Sequence, residues 1–97
     1  MQRHNIILTK EESGYIHYTS YKLKSIQNLI DMFLINKYQF EYSKDQMEIL
    51  VDKYCDLSVE LNKYILDIAV RECISNVNID KYSYIYDKDK LTFTMEV

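Results

Sequence analysis

The fold of this chain is decided by residues 43–75, which read SKDQMEILVDKYCDLSVELNKYILDIAVRECIS. Apolar side chains recur here at steps of seven, in two series offset by three, which is the pattern of a long amphipathic helix with one apolar stripe. The two series are Met47, Tyr54, Leu61 and Ile68, and Leu50, Leu57 and Tyr64. Ser43 and Gln46 have the spacing of a capping box, in which each side chain satisfies a backbone N–H group at the helix start. The sequence therefore predicts a helix of about 48 Å, at 1.5 Å per residue, that needs a partner along its stripe.

Length and composition indicate one ordinary globular domain. The chain has 97 residues, of which 47% are hydrophobic and 28% charged, so we expect a single domain over residues 1–97 with one modest core. It contains no Pro and one Gly, so regular elements should account for most of it. The net charge of −3, without a basic stripe, argues against nucleic-acid binding. We expect neither a membrane span nor a secretory signal, because no long apolar run is present.

Two cysteines, Cys55 and Cys73, fall on the predicted long helix. They are 18 residues apart, or about 27 Å along the axis, so they cannot form a disulfide within one helix. We therefore expect free thiols in a reducing, cytoplasmic compartment. Apart from Arg71 near Cys73, no cationic group is positioned to activate them, so buried structural thiols are the prediction.

The N-terminal residues predict a β-hairpin. Asn5–Thr9 alternate like a short strand, the polar run Lys10–Gly14 ends in the single Gly, and Tyr15–Tyr18 form the return strand. In this register the apolar side chains of both strands share one face. His17 then points away from that face, as a polar surface residue without a catalytic role.

A first helix follows, capped by Thr19 or Ser20 and continuing to about Tyr38. Its apolar stripe consists of Leu23, Ile26, Ile30 and Phe33, widened by Leu29 and Leu34. The link Gln39–Tyr42 is short, so the two helices should fold back antiparallel as a helical hairpin. The far half of the longer helix then overhangs the shorter one unless another element covers it.

The C-terminal residues predict a second β-hairpin with one buried face. Its alternating apolar residues are Tyr82, Tyr84 and Tyr86 before the polar run Asp87–Lys90, and Leu91, Phe93 and Met95 after it. Pairing Asp87 with Lys90 places Tyr84 opposite Phe93. Because Lys-Asp is not a favoured two-residue turn, a wider loop is the alternative. The predicted fold is α+β: a helical hairpin with one long helix, packed on a small antiparallel sheet from the N- and C-terminal β-hairpins, in the order ββααββ.

The exposed side of the long helix carries four carboxylates at four-residue steps, which we call the acidic stripe. They are Glu48, Asp52, Asp56 and Glu60. Like charges at this spacing destabilise an isolated helix by roughly 0.2–0.5 kcal/mol per pair. A basic partner surface would offset this repulsion, and a solvated helix face is the alternative interpretation.

Tyr54, Tyr64, Tyr82, Tyr84 and Tyr86 follow the apolar periodicity of their elements, which predicts positions in the core or at its edge. The less constrained tyrosines are candidates for an exposed aromatic rim: Tyr15, Tyr21, Tyr38 and Tyr42. Of these, Tyr38 and Tyr42 are the candidates to extend the binding surface, since Tyr is frequent at binding hot spots, although core-edge positions are the alternative. The sequence indicates no catalytic residue, metal site or cofactor.

Residues 58–65, SVELNKYI, resemble the signature of the sporulation-type aspartyl-phosphate phosphatases, which reads Ser-Gln-Glu-Leu-Asp followed by basic and apolar positions. The resemblance covers residues 21–66, and its identities are Ser58, Glu60 and Leu61. It implies a helical hairpin that acts on phosphorylated response regulators. Val59 and Asn62 replace the Gln and Asp of the family, so the resemblance fits binding to a response regulator without phosphatase activity.

These patterns predict a small intracellular, non-enzymatic interaction or regulatory protein that docks its helical hairpin or a strand edge on a protein with a basic surface. Inhibitors of bacterial proteins carried by phages and mobile elements have this size and acidity, so such an inhibitor is the expected class. The alternative is a phosphatase-like protein that acts on response regulators. A homodimer through the overhanging apolar seam is a further expectation, because Ile65, Ile68 and Ile74 would otherwise stay exposed.

Overall fold

The computed structural model describes residues 3–35, 44–74, 77 and 82–96. In chain order its elements are β1 (Arg3–Ile7), α1 (Lys10–Ile35), α2 (Lys44–Arg71), β2 (Ser83–Asp87) and β3 (Thr92–Glu96). The predicted α+β class is confirmed, since a helical hairpin accompanies a small antiparallel sheet built from N- and C-terminal strands. Neither of these helices combines the length and the hydrophobicity that crossing a membrane requires.

The prediction of a second N-terminal strand was wrong, because Tyr15–Tyr18 lie inside α1. The helix begins at Lys10, and a capping box precedes its first turn. The amide of Thr9 donates to Glu12 Oε1 (2.9 Å), and the amide of Glu12 donates to Thr9 Oγ1 (3.1 Å). Gly14 is therefore a helical residue rather than a loop residue, at a propensity cost of about 1 kcal/mol.

The sheet has β3 at its centre, with β1 and β2 paired antiparallel on its two sides. Phe93 lies opposite Ile6 on one side and Tyr86 on the other. The C-terminal hairpin is confirmed with the wider loop, because Tyr84 pairs with Met95 rather than with Phe93. The observed pairing of the two strands differs from the predicted one by two residues. Because this number is even, the predicted side chains still share the buried face.

The loop of this hairpin explains the wider register. Asp87 Oδ1 accepts hydrogen bonds from the amides of Asp89 (3.0 Å) and Lys90 (3.2 Å), as in an Asx turn. Leu91 closes the loop in the left-handed region, at φ 53°. Its carbonyl accepts a hydrogen bond from the amide of Leu8 (2.8 Å), which ties the loop to the N-terminal strand.

The core lies between the sheet, the N-terminal half of α1 and the C-terminal half of α2. Its buried members are Ile6, Leu8, Ile16, Leu61, Ile65, Ile68, Ala69, Phe93 and Met95. The C-terminal hairpin thus covers the far half of the long helix. The expectation that Ile65 and Ile68 need a second copy for burial was wrong, and Ile74 is half-buried.

The long helix is confirmed with 28 residues, from Lys44 to Arg71, while its predicted cap at Ser43 lies outside the described residues. The predicted stripe faces inward along the helix, but it is buried unevenly. Leu61 and Ile68 are buried, whereas the members nearer the helix start are half-buried.

A Schellman motif ends α2. The amide of Ile74 donates to the carbonyl of Ala69 (2.9 Å), and the amide of Cys73 donates to the carbonyl of Val70 (3.0 Å). Cys73 occupies the left-handed position of the motif, at φ 57°. Cys55 and Cys73 are free, as predicted, but both are exposed, so the prediction of buried structural thiols was wrong.

Half of each helix extends beyond the sheet, and we call residues 24–35 of α1 and 44–57 of α2 the overhang. The chain measures 49 × 27 × 19 Å, with a radius of gyration of 16.2 Å, whereas a compact chain of this length has about 13 Å. No side chain of the overhang belongs to the core cluster or packs against it. Among the overhang side chains that the structure describes, Ile26 alone is buried.

Candidate protein-interaction surface

The acidic stripe lies on the exposed side of α2. All four of its carboxylates are exposed, and none forms an ion pair with another described residue. Val59, 64% exposed, lies on the same face beside Asp52 and Asp56. The stripe is therefore a line of exposed carboxylates with an apolar contact point. Tyr38 and Tyr42, the other two predicted binding residues, lie outside the described residues.

A groove follows the overhang between α1 and α2, and we call it the interhelical groove. Its larger part, about 450 Å³, is lined by Lys22, Ser25, Ile26, Leu29, Leu50, Lys53, Asp56 and Leu57. Its smaller part, about 280 Å³, is lined by Leu29, Phe33, Gln46, Ile49 and Leu50. Because Leu29 and Leu50 line both parts, the groove is continuous. Sequence reasoning missed it because its two walls come from different helices.

The side chains that line the interhelical groove come from more than one face of each helix. Asp56 of the groove is 13 residues from Ala69 of the core, which places it about 140° around α2. Leu29 is likewise 13 residues from Ile16 on α1, again about 140° around the helix. Leu50, by contrast, is 18 residues from Ile68 of the core, which is five full turns, so these two side chains leave α2 in the same direction.

The two walls of the groove differ in charge. Among the residues that line it, α1 contributes Lys22 and no carboxylate, while α2 contributes Asp56 and Lys53. The charges of Asp56 and Lys53 cancel, so the residues of α2 that line the groove carry no net charge. Lys22 Nζ is 5.3 Å from the centre of the Tyr18 ring, a cation–π contact that holds the cation on the α1 wall.

Large apolar side chains are exposed around the overhang. Six of them are 41–78% exposed: Leu29, Met32, Leu34, Ile35, Ile49 and Val51. The residues 32–35 occupy a full turn of α1 and are all apolar. Contact with a single neighbouring helix cannot bury all sides of such a turn. Exposed apolar surface concentrated in one region is typical of an interaction site.

Ion pairs of Arg71 connect the two helices at the end of the helical hairpin opposite the overhang. Arg71 Nη1 lies 2.5 Å from Glu12 Oε2, and its Nη2 lies 3.2 Å from Glu72 Oε1. The hydrogen bond from Arg71 lowers the pKa of the Glu12 carboxyl; burial opposes this effect and the bonds with Thr9 reinforce it. The same hydrogen bond raises the pKa of Arg71. These groups join the start of α1 to the end of α2.

Two tyrosine hydroxyls join the helices to the C-terminal hairpin, and sequence reasoning missed both contacts. His17 Nδ1 is hydrogen-bonded to the Tyr86 hydroxyl, and the Tyr82 hydroxyl donates to Asn62 Oδ1 (2.5 Å). Burial raises the pKa of both tyrosines, so both hydroxyls stay protonated at neutral pH. His17 makes this contact from α1, so the prediction that His17 lies on a strand was wrong.

The tyrosines follow the predicted division in part. The residues assigned to the core or its edge are all half-buried: Tyr54, Tyr64, Tyr82, Tyr84 and Tyr86. Tyr15, assigned to an exposed rim, is instead half-buried and lies with its ring centre 4.2 Å from that of Tyr64. Within the described residues, no group of three His, Cys, Asp or Glu side chains is placed to hold a metal ion.

No family model, curated protein or solved structure matches this chain at a significant level. The resemblance of residues 21–66 to the aspartyl-phosphate phosphatases therefore rests on the motif alone and stays a prediction. Of the motif residues, Glu60 is exposed on α2, Leu61 is in the core, and Asn62 accepts the hydrogen bond from Tyr82.

Proposed function

We propose that this chain is a small non-enzymatic interaction protein that regulates or inhibits a bacterial protein by binding a basic patch on it through the acidic stripe. The observation that carries the proposal is the line of exposed carboxylates without ion pairs in the described part of the chain. Folding gains nothing from this line, because like charges one turn apart repel each other. A basic partner surface converts the repulsion into charge complementarity and speeds association.

The exposed side chain of Val59 supports the same surface, because an apolar contact between charges excludes water from the centre of an interface. We place the interaction in the bacterial cytoplasm, since both thiols are free and exposed, as is usual in a reducing compartment. The candidate class is an inhibitor carried by a phage or mobile element, which fits a short acidic chain built as one binding module.

The proposal is tested by affinity capture from a bacterial lysate, comparing the native chain with the double variant Glu48→Lys/Asp52→Lys. The matched control is Glu11→Lys/Asp89→Lys, which makes the same change in net charge at two exposed positions outside α2. A partner captured by the native chain and the control, but lost by the stripe variant, supports the proposal. With that partner purified, reversing the two charges should raise the dissociation constant by about tenfold at low salt. Equal capture by all three proteins would leave the stripe a solvated helix face.

The exposed position of Glu60 favours, as a second candidate, a phosphatase-like activity on response regulators. It is tested by adding the chain to a response regulator charged with acetyl phosphate and following dephosphorylation. Faster dephosphorylation that disappears in Glu60→Ala and persists in Glu48→Ala would replace the binding proposal. If the binding proposal holds, adding the native chain leaves the rate of dephosphorylation of the response regulator unchanged.

A further inference from the structure

The sheet has two edge strands, because β3 lies between β1 and β2. In an antiparallel pair, residues that exchange backbone hydrogen bonds alternate with residues that do not. The amide of Leu8 donates to the carbonyl of Leu91, so Leu91 directs its backbone groups toward β1. Thr94, three positions further along, therefore directs its N–H and C=O groups toward β2.

The same alternation identifies the backbone groups at the free edge of β2. Ile85 lies opposite Thr94, so its N–H and C=O groups point inward to β3. Those of its neighbours, Tyr84 and Tyr86, point outward from the sheet. The structure gives these outward groups no hydrogen bond with any residue that it describes. The edge of β2 is therefore a template on which a further strand can pair.

β2 also lacks the features that protect an edge strand from pairing. Its five residues, Ser83–Asp87, include no Lys or Pro, and they follow one register against β3 without a bulge. Tyr84 and Tyr86 pack against the core, so Ile85 lies on the opposite face of the sheet, where it is 74% exposed. A regular edge strand with an exposed apolar side chain at its centre is typical of a strand that pairs with another chain.

We infer that β2 pairs antiparallel with β2 of a second copy of this chain, about a two-fold axis at Ile85. Two requirements fix this register. Opposite residues point to the same face of a sheet, so the core-facing residues of the two copies must lie opposite each other. Among such registers, the one centred on Ile85 pairs all five residues of the strand. The pairing joins the two three-stranded sheets into one continuous sheet, with the helices of both copies on the same face.

The strand is complementary to itself in this register, and this self-complementarity selects a second copy as the occupant. Tyr84 lies opposite Tyr86 of the other copy, so the outward backbone groups of the two strands meet and exchange both hydrogen bonds. Ser83 lies opposite Asp87, so a hydroxyl faces a carboxylate and no like charges oppose each other. The two Ile85 side chains meet on the axis as a pair without backbone hydrogen bonds, in which side chains approach most closely.

The other edge strand, β1, is less suited to such a pairing. A two-fold axis at its central residue, Asn5, would place the charge of Arg3 opposite the exposed side chain of Ile7. The side chain of Asn5 already accepts a hydrogen bond from Thr94 Oγ1 (3.0 Å). The free edge of β2 is therefore the one assigned to the dimer.

The contact of two five-residue strands is small, so we expect a dimer that dissociates on dilution. Sedimentation equilibrium measures this directly, and the mass should rise from 11.7 kDa toward twice that value with concentration. The concentration should reach about 200 µM, far above the micromolar dissociation constants at the weak end for protein interfaces. β2 shares no residue with the acidic stripe, so this dimer is independent of the proposed partner.

Amide hydrogen exchange locates the contact on the backbone. The amides of Tyr84 and Tyr86 should exchange more slowly at the high concentration than in a dilute sample, because the dimer gives them hydrogen bonds. The amides of Asn5 and Ile7, which point to the free edge of β1, should exchange at the same rate in both samples.

Two variants with the same substitution test which edge is used. Ile85→Lys should stay at the monomer mass over the whole range, because it places two like charges opposite each other on the axis. Ile7→Lys is the matched control, since Ile7 is 80% exposed on the same face of the sheet but belongs to the other edge strand. It should dimerise like the native chain. Circular dichroism should show the native spectrum for both variants.

Charge exchange tests the register. Ile85→Glu alone should also stay monomeric, and an equimolar mixture of Ile85→Lys and Ile85→Glu should form a heterodimer, because position 85 then joins opposite charges. Four results would overturn the inference. They are a native chain that stays monomeric at about 200 µM, normal dimerisation of Ile85→Lys, loss of dimerisation in Ile7→Lys, and failure of the charge mixture to associate.

Discussion

Replacing Cys73 by glycine should stabilise this protein. Cys73 holds the left-handed position of the Schellman motif at φ 57°, and its side chain is exposed. A side chain with a Cβ pays about 1–2 kcal/mol to adopt that backbone conformation, whereas glycine adopts it freely. Little is lost in return, because the exposed thiol has no hydrogen bond with a described residue.

The expected gain follows from two opposing terms. Removal of the left-handed strain favours the folded state by about 1–2 kcal/mol, and the greater freedom of glycine in the unfolded chain subtracts about 0.5–1 kcal/mol. The net effect of Cys73→Gly is then a stabilisation of about 0.5–1 kcal/mol, or a rise in Tm of roughly 3–6 °C for a domain of this size.

Thermal and urea unfolding, followed by circular dichroism under reducing conditions and at one protein concentration, measures the change. Cys73→Ala is the first control, because it removes the thiol but keeps a Cβ at the strained position, and its stability should match that of the native chain. Cys55→Gly is the second control: it makes the same substitution inside α2, where it should destabilise by a few tenths, about 0.3 kcal/mol. The reasoning is refuted if Cys73→Gly is no more stable than Cys73→Ala.

Three further substitutions test the contacts that shape the fold. Glu12→Gln should lower the free energy of unfolding by about 1–2 kcal/mol at neutral pH, through the loss of a charged cap and ion pair, while Glu11→Gln, at an exposed neighbour, changes it little. The pKa of Glu12 lies below its ordinary 4.5, so the carboxylate contributes its full share to the free energy of unfolding above that pH. This contribution disappears as the pH falls through the lower pKa of the folded state. The native chain and Glu12→Gln should therefore reach the same Tm in acid melts. Asp87→Ala should lower the free energy of unfolding by about 1 kcal/mol, measured in urea, because it removes both hydrogen bonds of the hairpin loop. An equal effect of Asp89→Ala would contradict the role of the Asp87 side chain in this loop. Phe93→Ala, at the fully buried centre of β3, should cost about 3–5 kcal/mol, and a melt unchanged by this cavity would contradict the described core.

The periodicity of apolar side chains was sufficient to predict those helices and strands whose pattern lies within a single element. The heptad spacing of Leu61 and Ile68 predicted α2, and the alternation of Tyr84 and Tyr86 predicted the C-terminal strands, because the inward faces of these elements repeat at 3.6 and 2 residues. The same reasoning failed at Tyr15–Tyr18, where four residues are too few to separate the two periods. The local signal that decides this region is the Thr9–Glu12 capping box, which was present in the sequence.

The sequence by itself determined the long amphipathic helix, the C-terminal hairpin and the position of the acidic stripe, because each depends on side chains a few residues apart. Tertiary structure alone decided that β1 pairs with β3, where Arg3 lies opposite Glu96, and that the interhelical groove exists. Both features join residues that are distant in the chain. Which distant residues meet depends on how all the apolar faces can be buried at once, and no short stretch of sequence contains that information.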